Sequence, residues 1–205
     1  AEGTSSEEFY QIYHKFGYDQ AVSRASDSLS YVYRLDEKYW LMMLDSCMCE
    51  PVHETGGKLS EETVAWMKTQ LEEAKKQGVT VIPVSHHNLL DESTLYPEEC
   101  TIENTKEVTA LLEAYGVPVY LSGHLHLQRI KKHTSNLNTP GGYGIREIVT
   151  SPLPMAPCQY SILNWQTDGS LSYHTKKVDI AGWAQRYGEE DENLLNLMLM
   201  RISFW

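Results

Sequence analysis

Residues 60–88, "SEETVAWMKTQLEEAKKQGVTVIPVSHHN", contain the clearest indication of the fold class. Ser60 is a residue type that caps helix N-termini, and Gly78 is a type that ends helices. Between them, apolar residues recur at the spacing of one helix face: Val64, Met67, Leu71 and Ala74. The apolar run "VTVIPV" follows at once. The segment therefore predicts an amphipathic helix followed by a buried strand.

The same alternation continues on both sides of this unit. "YWLMMLD" at residues 39–45 and "VPVYLS" at 117–122 are typical of buried strands, and the apolar spacing from Val108 to Tyr115 predicts a second helix between strands. Strand, helix, strand, helix and strand thus follow one another from residue 39 to residue 122. This order predicts an α/β fold with right-handed crossovers between parallel strands.

The flanking segments predict further elements. We expect a short helix over 7–16, a strand at 28–35 that forms a hairpin with the strand at 39–45, a long polar loop at 88–103, a solvated bend at 131–133, a loop at 138–144, strands at 146–151, 160–165 and 170–178, and a terminal helix over 189–205. The strands at 160–165 and 170–178 are expected to pair as a hairpin across "QTDG".

Composition narrows the class of protein. The chain has 205 residues, 41% of them hydrophobic, which is enough for the core of one domain. Its formal net charge of -11 disfavours nucleic acid and anionic membranes as partners. Its apolar runs are too short to span a bilayer. Four cysteines without zinc-ribbon spacing leave the cellular compartment open, and the sequence does not fix an oligomeric state.

Histidines follow two of the predicted strands. His86 and His87 come directly after "VTVIPVS", and His124 and His126 come after "VPVYLSG". The carboxyl ends of parallel strands form a ligand-binding edge, and neutral imidazole is a common metal ligand. If the backbone stays extended, His124 and His126 share a face. For His87 alone, a structural or solvent-exposed role is the commoner alternative.

Four motifs, in this order, are fairly specific: "YWLMMLDS", "GGKLSEETVAWMKTQLEEA", "VIPVSHHN" and "GHLH". Together, over residues 28–126, they resemble the calcineurin-like metallophosphoesterase superfamily, in its class III cyclic-nucleotide-phosphodiesterase-like branch. The resemblance implies the C-terminal half of an αββα sandwich, with mixed sheets flanked by helices.

The resemblance also implies the site residues. His86 and His124 would bind the second of two metal ions, His126 would bind the first, and His87 would lie beside the site and contact substrate. In this family, two metal ions (Mn, Fe, Zn or Ni) activate a bridging water that attacks phosphorus. Asn88 departs from the proline that usually follows the histidine pair.

The aspartate-containing motifs of the family's first half do not occur in this sequence. We therefore expect a C-terminal portion, with residues 1–180 in the metallophosphoesterase domain and residues 181–205 as a truncated helical extension. No catalytic residue is assigned in the chain itself. Alone, it is expected to hold at most one weakly bound ion and to be inactive, because two divalent ions need bridging carboxylates.

The predicted function of the parent protein is metal-dependent hydrolysis of a small phosphate ester, as a phosphodiesterase or a phosphatase. One alternative is a non-catalytic interaction module of the same fold that lacks the first motifs. Another is a structural zinc site in which Cys47 and Cys49 join the histidines.

Overall fold

The computed structural model describes residues 4–48, 54–92, 97–133, 144–155 and 157–188. The chain forms two compact units, one of residues 1–124 and 129–149 and the other of residues 125–128 and 150–205. The domain boundary at residue 180 stays a prediction. The terminal helix at 189–205 and most of the loop at 138–144 lie outside the described residues.

The first unit contains a seven-stranded mixed sheet in the order β1-β2-β3-β4-β5-β7-β6. Its strands are β1 Ala21–Arg24, β2 Tyr31–Arg34, β3 Tyr39–Met43, β4 Thr80–Val84, β5 Val119–Ser122, β6 Arg129–Lys132 and β7 Arg146–Val149. Strands β3, β4, β5 and β7 are parallel, and β1, β2 and β6 pair antiparallel with their neighbours. The predicted α/β class, with mixed sheets flanked by helices, is confirmed.

The helices of this unit are α1 Ser6–Tyr13, α2 Glu61–Gln77, α3 Pro97–Cys100 and α4 Thr105–Ala114. The Ser60 hydroxyl caps α2 by accepting a bond of 2.9 Å from the Thr63 amide, and Gly78 ends α2 at φ 69°. The predicted stripe of α2 is buried, and its members Val64, Met67, Leu71 and Ala74 belong to the core that also contains Trp40. The helix packs against β4.

The second unit contains the hairpin of β8 (Gln159–Trp165) and β9 (Leu171–Lys177), paired in register from Gln159↔Lys177 to Trp165↔Leu171. Helix α5, Ile180–Tyr187, follows. The Asp179 carboxylate caps it by accepting a bond of 3.0 Å from the Gly182 amide. The predicted hairpin is confirmed.

Two expectations about connecting segments are wrong. Lys131 and Lys132 lie in the edge strand β6 rather than in a bend, because β6 pairs antiparallel with β7. The segment at 88–103 is not simply polar, since Leu89, Leu90 and Ile102 are buried and α3 lies within it.

Among the helices of the described residues, none combines the length and the apolar character that a membrane span requires.

Candidate metal centre

The candidate site lies at the carboxyl ends of β4 and β5. The two strands are adjacent and parallel, and their hydrogen bonding continues past the strand ends. The Ser85 amide donates to the Leu121 carbonyl at 3.0 Å, and the Gly123 amide donates to the His86 carbonyl at 3.1 Å. The segments that carry His86 and His124 are therefore held side by side, as the strand order predicts.

The rings of His86 and His124 face each other. Nε2 of His86 is 2.9 Å from Nδ1 of His124, and the ring planes are nearly perpendicular at 88°. His86 is exposed and His124 is half-buried. This distance is that of a hydrogen bond between the rings. Two nitrogens that bind one ion at about 2.0–2.1 Å are only slightly farther apart, at about 2.9 Å for a right angle and about 3.4 Å for the tetrahedral angle. The pair therefore fits two neighbouring positions on a single ion.

The backbone at this site is not extended. His124 has φ 61° and His126 has φ 54°, so both adopt a left-handed conformation that is unusual for residues other than glycine. The prediction of an extended backbone that places these two residues on a shared face is therefore wrong. The turn falls on His124 itself, and strain of this kind is concentrated at functional sites.

Replacing His124 by glycine should give a more stable protein than replacing it by alanine, by about 1 kcal/mol, because only alanine keeps the left-handed strain. The free energy of unfolding in urea measures the difference. At the exposed helical position Lys68 the order should reverse, with glycine less stable than alanine. A less stable glycine variant at position 124 would show that the turn is not strained.

His87 is buried, and both of its ring nitrogens have partners. Nδ1 lies 2.9 Å from the Ser46 hydroxyl and Nε2 lies 3.1 Å from the Thr55 carbonyl. Since a carbonyl only accepts, the proton is on Nε2 and Nδ1 accepts from Ser46. Burial lowers the pKa of His87, which favours this neutral form. Contact of His87 with substrate stays a prediction.

His126 is exposed and belongs to the second unit. Its role as a metal ligand stays a prediction. In the described residues, no group of three or more histidine, cysteine, aspartate or glutamate side chains could hold a metal ion. The His86–His124 pair thus fits part of a mononuclear site, and the full ligand set of a dinuclear site is not present in the described part of the chain.

The alternative of a structural zinc site needs Cys47 and Cys49. Cys47 is exposed, and Cys49 lies outside the described residues.

Sequence reasoning missed Glu147, which is fully buried in β7 beneath the site. Its Oε1 accepts hydrogen bonds from the Leu89 amide at 2.7 Å and the Ser122 hydroxyl at 2.6 Å, and its Oε2 accepts from the Leu90 amide at 2.6 Å. The sequence contains one indication of this role, a single acidic residue within the predicted strand "REIVTS". A carboxyl that is buried in a strand needs hydrogen-bond donors around it.

Burial, with a smaller contribution from the neighbouring Glu92 carboxyl, raises the pKa of Glu147 to about 7, in spite of the lowering effect of the hydrogen bonds from Ser122, Leu89 and Leu90. In the unfolded chain the pKa is near 4.5. Folding therefore takes up a proton between these values. The stabilisation is complete below pH 4.5 and is lost as pH rises through about 7.

We expect the free energy of unfolding to fall by about 3 kcal/mol between pH 5 and pH 8 through this carboxyl. Urea unfolding of the wild type and of Glu147→Gln at both pH values measures the effect. The histidines contribute to the pH dependence of both proteins, so subtracting the change in Glu147→Gln from the change in the wild type removes their contribution. An equal pH slope in both proteins would contradict the prediction.

A cavity of about 870 Å³ opens beside His86 in the first unit. Its lining includes Asp45, which follows β3 at the same edge of the sheet, and the side chains of Tyr18, Glu54 and Lys58. Cavities of this size accommodate small organic ligands. Acidic groups in the wall disfavour a bare phosphate unless a bound cation offsets them.

No protein-family model and no curated protein sequence matches this chain. Among solved structures, the crystal structure of a dimetal phosphatase from Danio rerio is similar to it, with a TM-score of 0.48 and 14% sequence identity. The similarity covers 66% of this chain and 53% of that chain, so this chain spans about half the length of that phosphatase. A likeness this low assigns neither a residue role nor an activity.

Proposed function

We propose that this chain supplies histidine ligands to the metal centre of a phosphoric ester hydrolase, a phosphodiesterase or a phosphatase. Carboxylates from outside the chain would complete a dinuclear site with Mn, Fe, Zn or Ni. When bound, the metal ions would supply an activated water and positive charge for the phosphoryl oxygens. His86, His124 and His126 are the proposed ligands.

The observation that carries the proposal is the 2.9 Å approach of His86 Nε2 and His124 Nδ1 at the carboxyl edge of two parallel strands. The backbone bond from Gly123 to His86 and the left-handed conformation of His124 fix this approach within the fold. The motifs around these residues, which resemble those of calcineurin-like metallophosphoesterases, support the same chemistry.

The cavity beside His86 supports a small phosphate ester as the substrate. His87 is proposed to act on substrate binding. Its ring nitrogens are bonded to Ser46 and Thr55, and its ring centroid lies 5.2 Å from that of His86 and 4.7 Å from that of His124. An effect on substrate would therefore pass through these two rings. A His87→Gln variant should then change KM with the metal content unchanged.

The first test compares hydrolysis of bis-p-nitrophenyl phosphate with Mn²⁺ by two proteins. One is this chain, and the other is the chain extended upstream in its gene by about 100 residues, which is a domain-sized addition. We expect activity in the extended protein alone. Activity in neither protein, with no metal in either by elemental analysis, would favour the non-catalytic interaction module.

A further inference from the structure

We propose that Glu147 is the positioning residue of the histidine pair: its buried carboxyl holds the segments after β4 and β5 so that His86 and His124 bind one ion together. This inference rests on the metal-binding part of the proposed function, and it needs no hydrolytic activity. The Glu147 carboxyl accepts hydrogen bonds from the Leu89 and Leu90 amides and from the Ser122 hydroxyl, so it acts through the backbone and through Ser122.

The first connection runs to the segment after β4. The amides of Leu89 and Leu90 both donate to the Glu147 carboxyl, at 2.7 and 2.6 Å. These two residues are buried and follow His86 by three and four positions. Two short bonds from successive amides to one carboxyl fix the direction of the chain where it leaves β4.

The second connection runs to the segment after β5. The Ser122 hydroxyl donates to Glu147 Oε1 at 2.6 Å and accepts from the Asn88 side-chain amide at 2.9 Å. The same Asn88 amide group lies 3.2 Å from the Gly123 carbonyl, to which it donates. Asn88 therefore joins the two segments directly. A proline at position 88 could not make these bonds, which gives the departure noted in the sequence a physical role.

The two connections meet at a single carboxyl, so the separation of His86 and His124 depends on it in addition to the backbone bond from Gly123 to His86. A pair of nitrogens 2.9 Å apart fits one ion, and small shifts of either segment would separate them. Outer partners of this kind typically change metal affinity by about 10–100-fold when they are removed. Glu147→Gln keeps the shape of the side chain, but it places an NH₂ group where one of the two oxygens now accepts.

The experiment measures zinc affinity by calorimetry in the full 205-residue chain. In the wild-type background, we expect His86→Ala and His124→Ala each to weaken zinc binding about 10-fold, and the double variant to be no weaker than either. In the Glu147→Gln background, zinc binding should be weakened by a similar factor, and His86→Ala should then have no further effect.

The matched control is Ile148→Ala, on the same strand with its side chain on the opposite face of the sheet. It removes buried volume without touching the amides that bind Glu147. We expect this variant to be less stable. The effects of His86→Ala and His124→Ala on zinc affinity should still be non-additive in it, and this non-additivity is the coupling between His86 and His124. Loss of coupling in Ile148→Ala to the same extent as in Glu147→Gln would overturn the inference, because general destabilisation would then explain both.

A milder variant covers the case in which Glu147→Gln does not fold. Ser122→Ala removes one bond to Glu147 and the link to Asn88, and it should give a zinc affinity between those of the wild type and His124→Ala. Unchanged zinc binding in Ser122→Ala, or wild-type zinc binding that does not depend on His86 and His124, would overturn the inference. Hydrolytic activity that is absent while the coupling is present would contradict only the proposed enzymatic function.

Discussion

Replacing Gly57 by alanine should destabilise the protein by about 4 kcal/mol, a large part of the total stability of an ordinary domain. A Cβ at this position would lie 2.3 Å from Cγ of His87 and 2.7 Å from its Cβ. These atoms are at the root of the side chain, so the whole ring would have to move. The motion would break the bonds of His87 with Ser46 and Thr55 inside the protein.

The adjacent Gly56 provides the matched control. A Cβ there would meet only the terminal methyl of Met48, at 3.3 Å, which a flexible side chain can accommodate. Urea unfolding should therefore show a change below about 1 kcal/mol for Gly56→Ala. In a His87→Gly background, Gly57→Ala should also have little effect, since both the clashing ring and its Cβ are absent. A full-sized loss in that background would contradict the account.

Replacing His86 or His124 by alanine should lower Mn²⁺-dependent phosphodiester hydrolysis by the extended protein about 1000-fold. Each variant would remove an imidazole ligand, and a weakened metal centre would lose several kcal/mol of transition-state stabilisation. Hydrolysis of bis-p-nitrophenyl phosphate at saturating Mn²⁺ measures kcat, and elemental analysis measures bound metal in the same samples.

His133→Ala is the control for this experiment, because His133 lies in the same unit beside Glu113 rather than at the carboxyl edge of β4 and β5. It should keep hydrolysis within about twofold of the wild type, as expected for a surface substitution. Full activity in His86→Ala and His124→Ala together would exclude both residues from the metal centre.

Much of the fold could be predicted because local and tertiary preferences agree in its central part. Ser60 and Gly78 mark the ends of α2, and the stripe between them is buried as its spacing predicts. The order of strands and helices from residue 39 to 122 then requires parallel pairing, which brings His86 and His124 to one edge. Edge strand β6 was missed because its short, charged sequence, "RIKK", has no buried alternation.

The fine geometry of the site could not be predicted, because it depends on contacts between distant segments. Gly123 is the residue that a sequence argument expects at the turn, yet His124 takes the positive φ. Glu147 lies 25 residues beyond Ser122 and 58 beyond Leu89, and no local pattern connects them. The burial of His87 against Gly57 is likewise visible only in three dimensions.

Long-range ¹H–¹⁵N correlation spectra of the histidine side chains, recorded on ¹⁵N-labelled protein with and without Zn²⁺, show whether His86 and His124 bind one ion together. We expect Nε2 of His86 and Nδ1 of His124 to take on the shifts of zinc-bound nitrogens together, at one equivalent of zinc, because these two atoms face each other at 2.9 Å. His87 should keep its Nε2–H form throughout. Zinc that binds other histidines, or that leaves both of these nitrogens unchanged, would contradict the account.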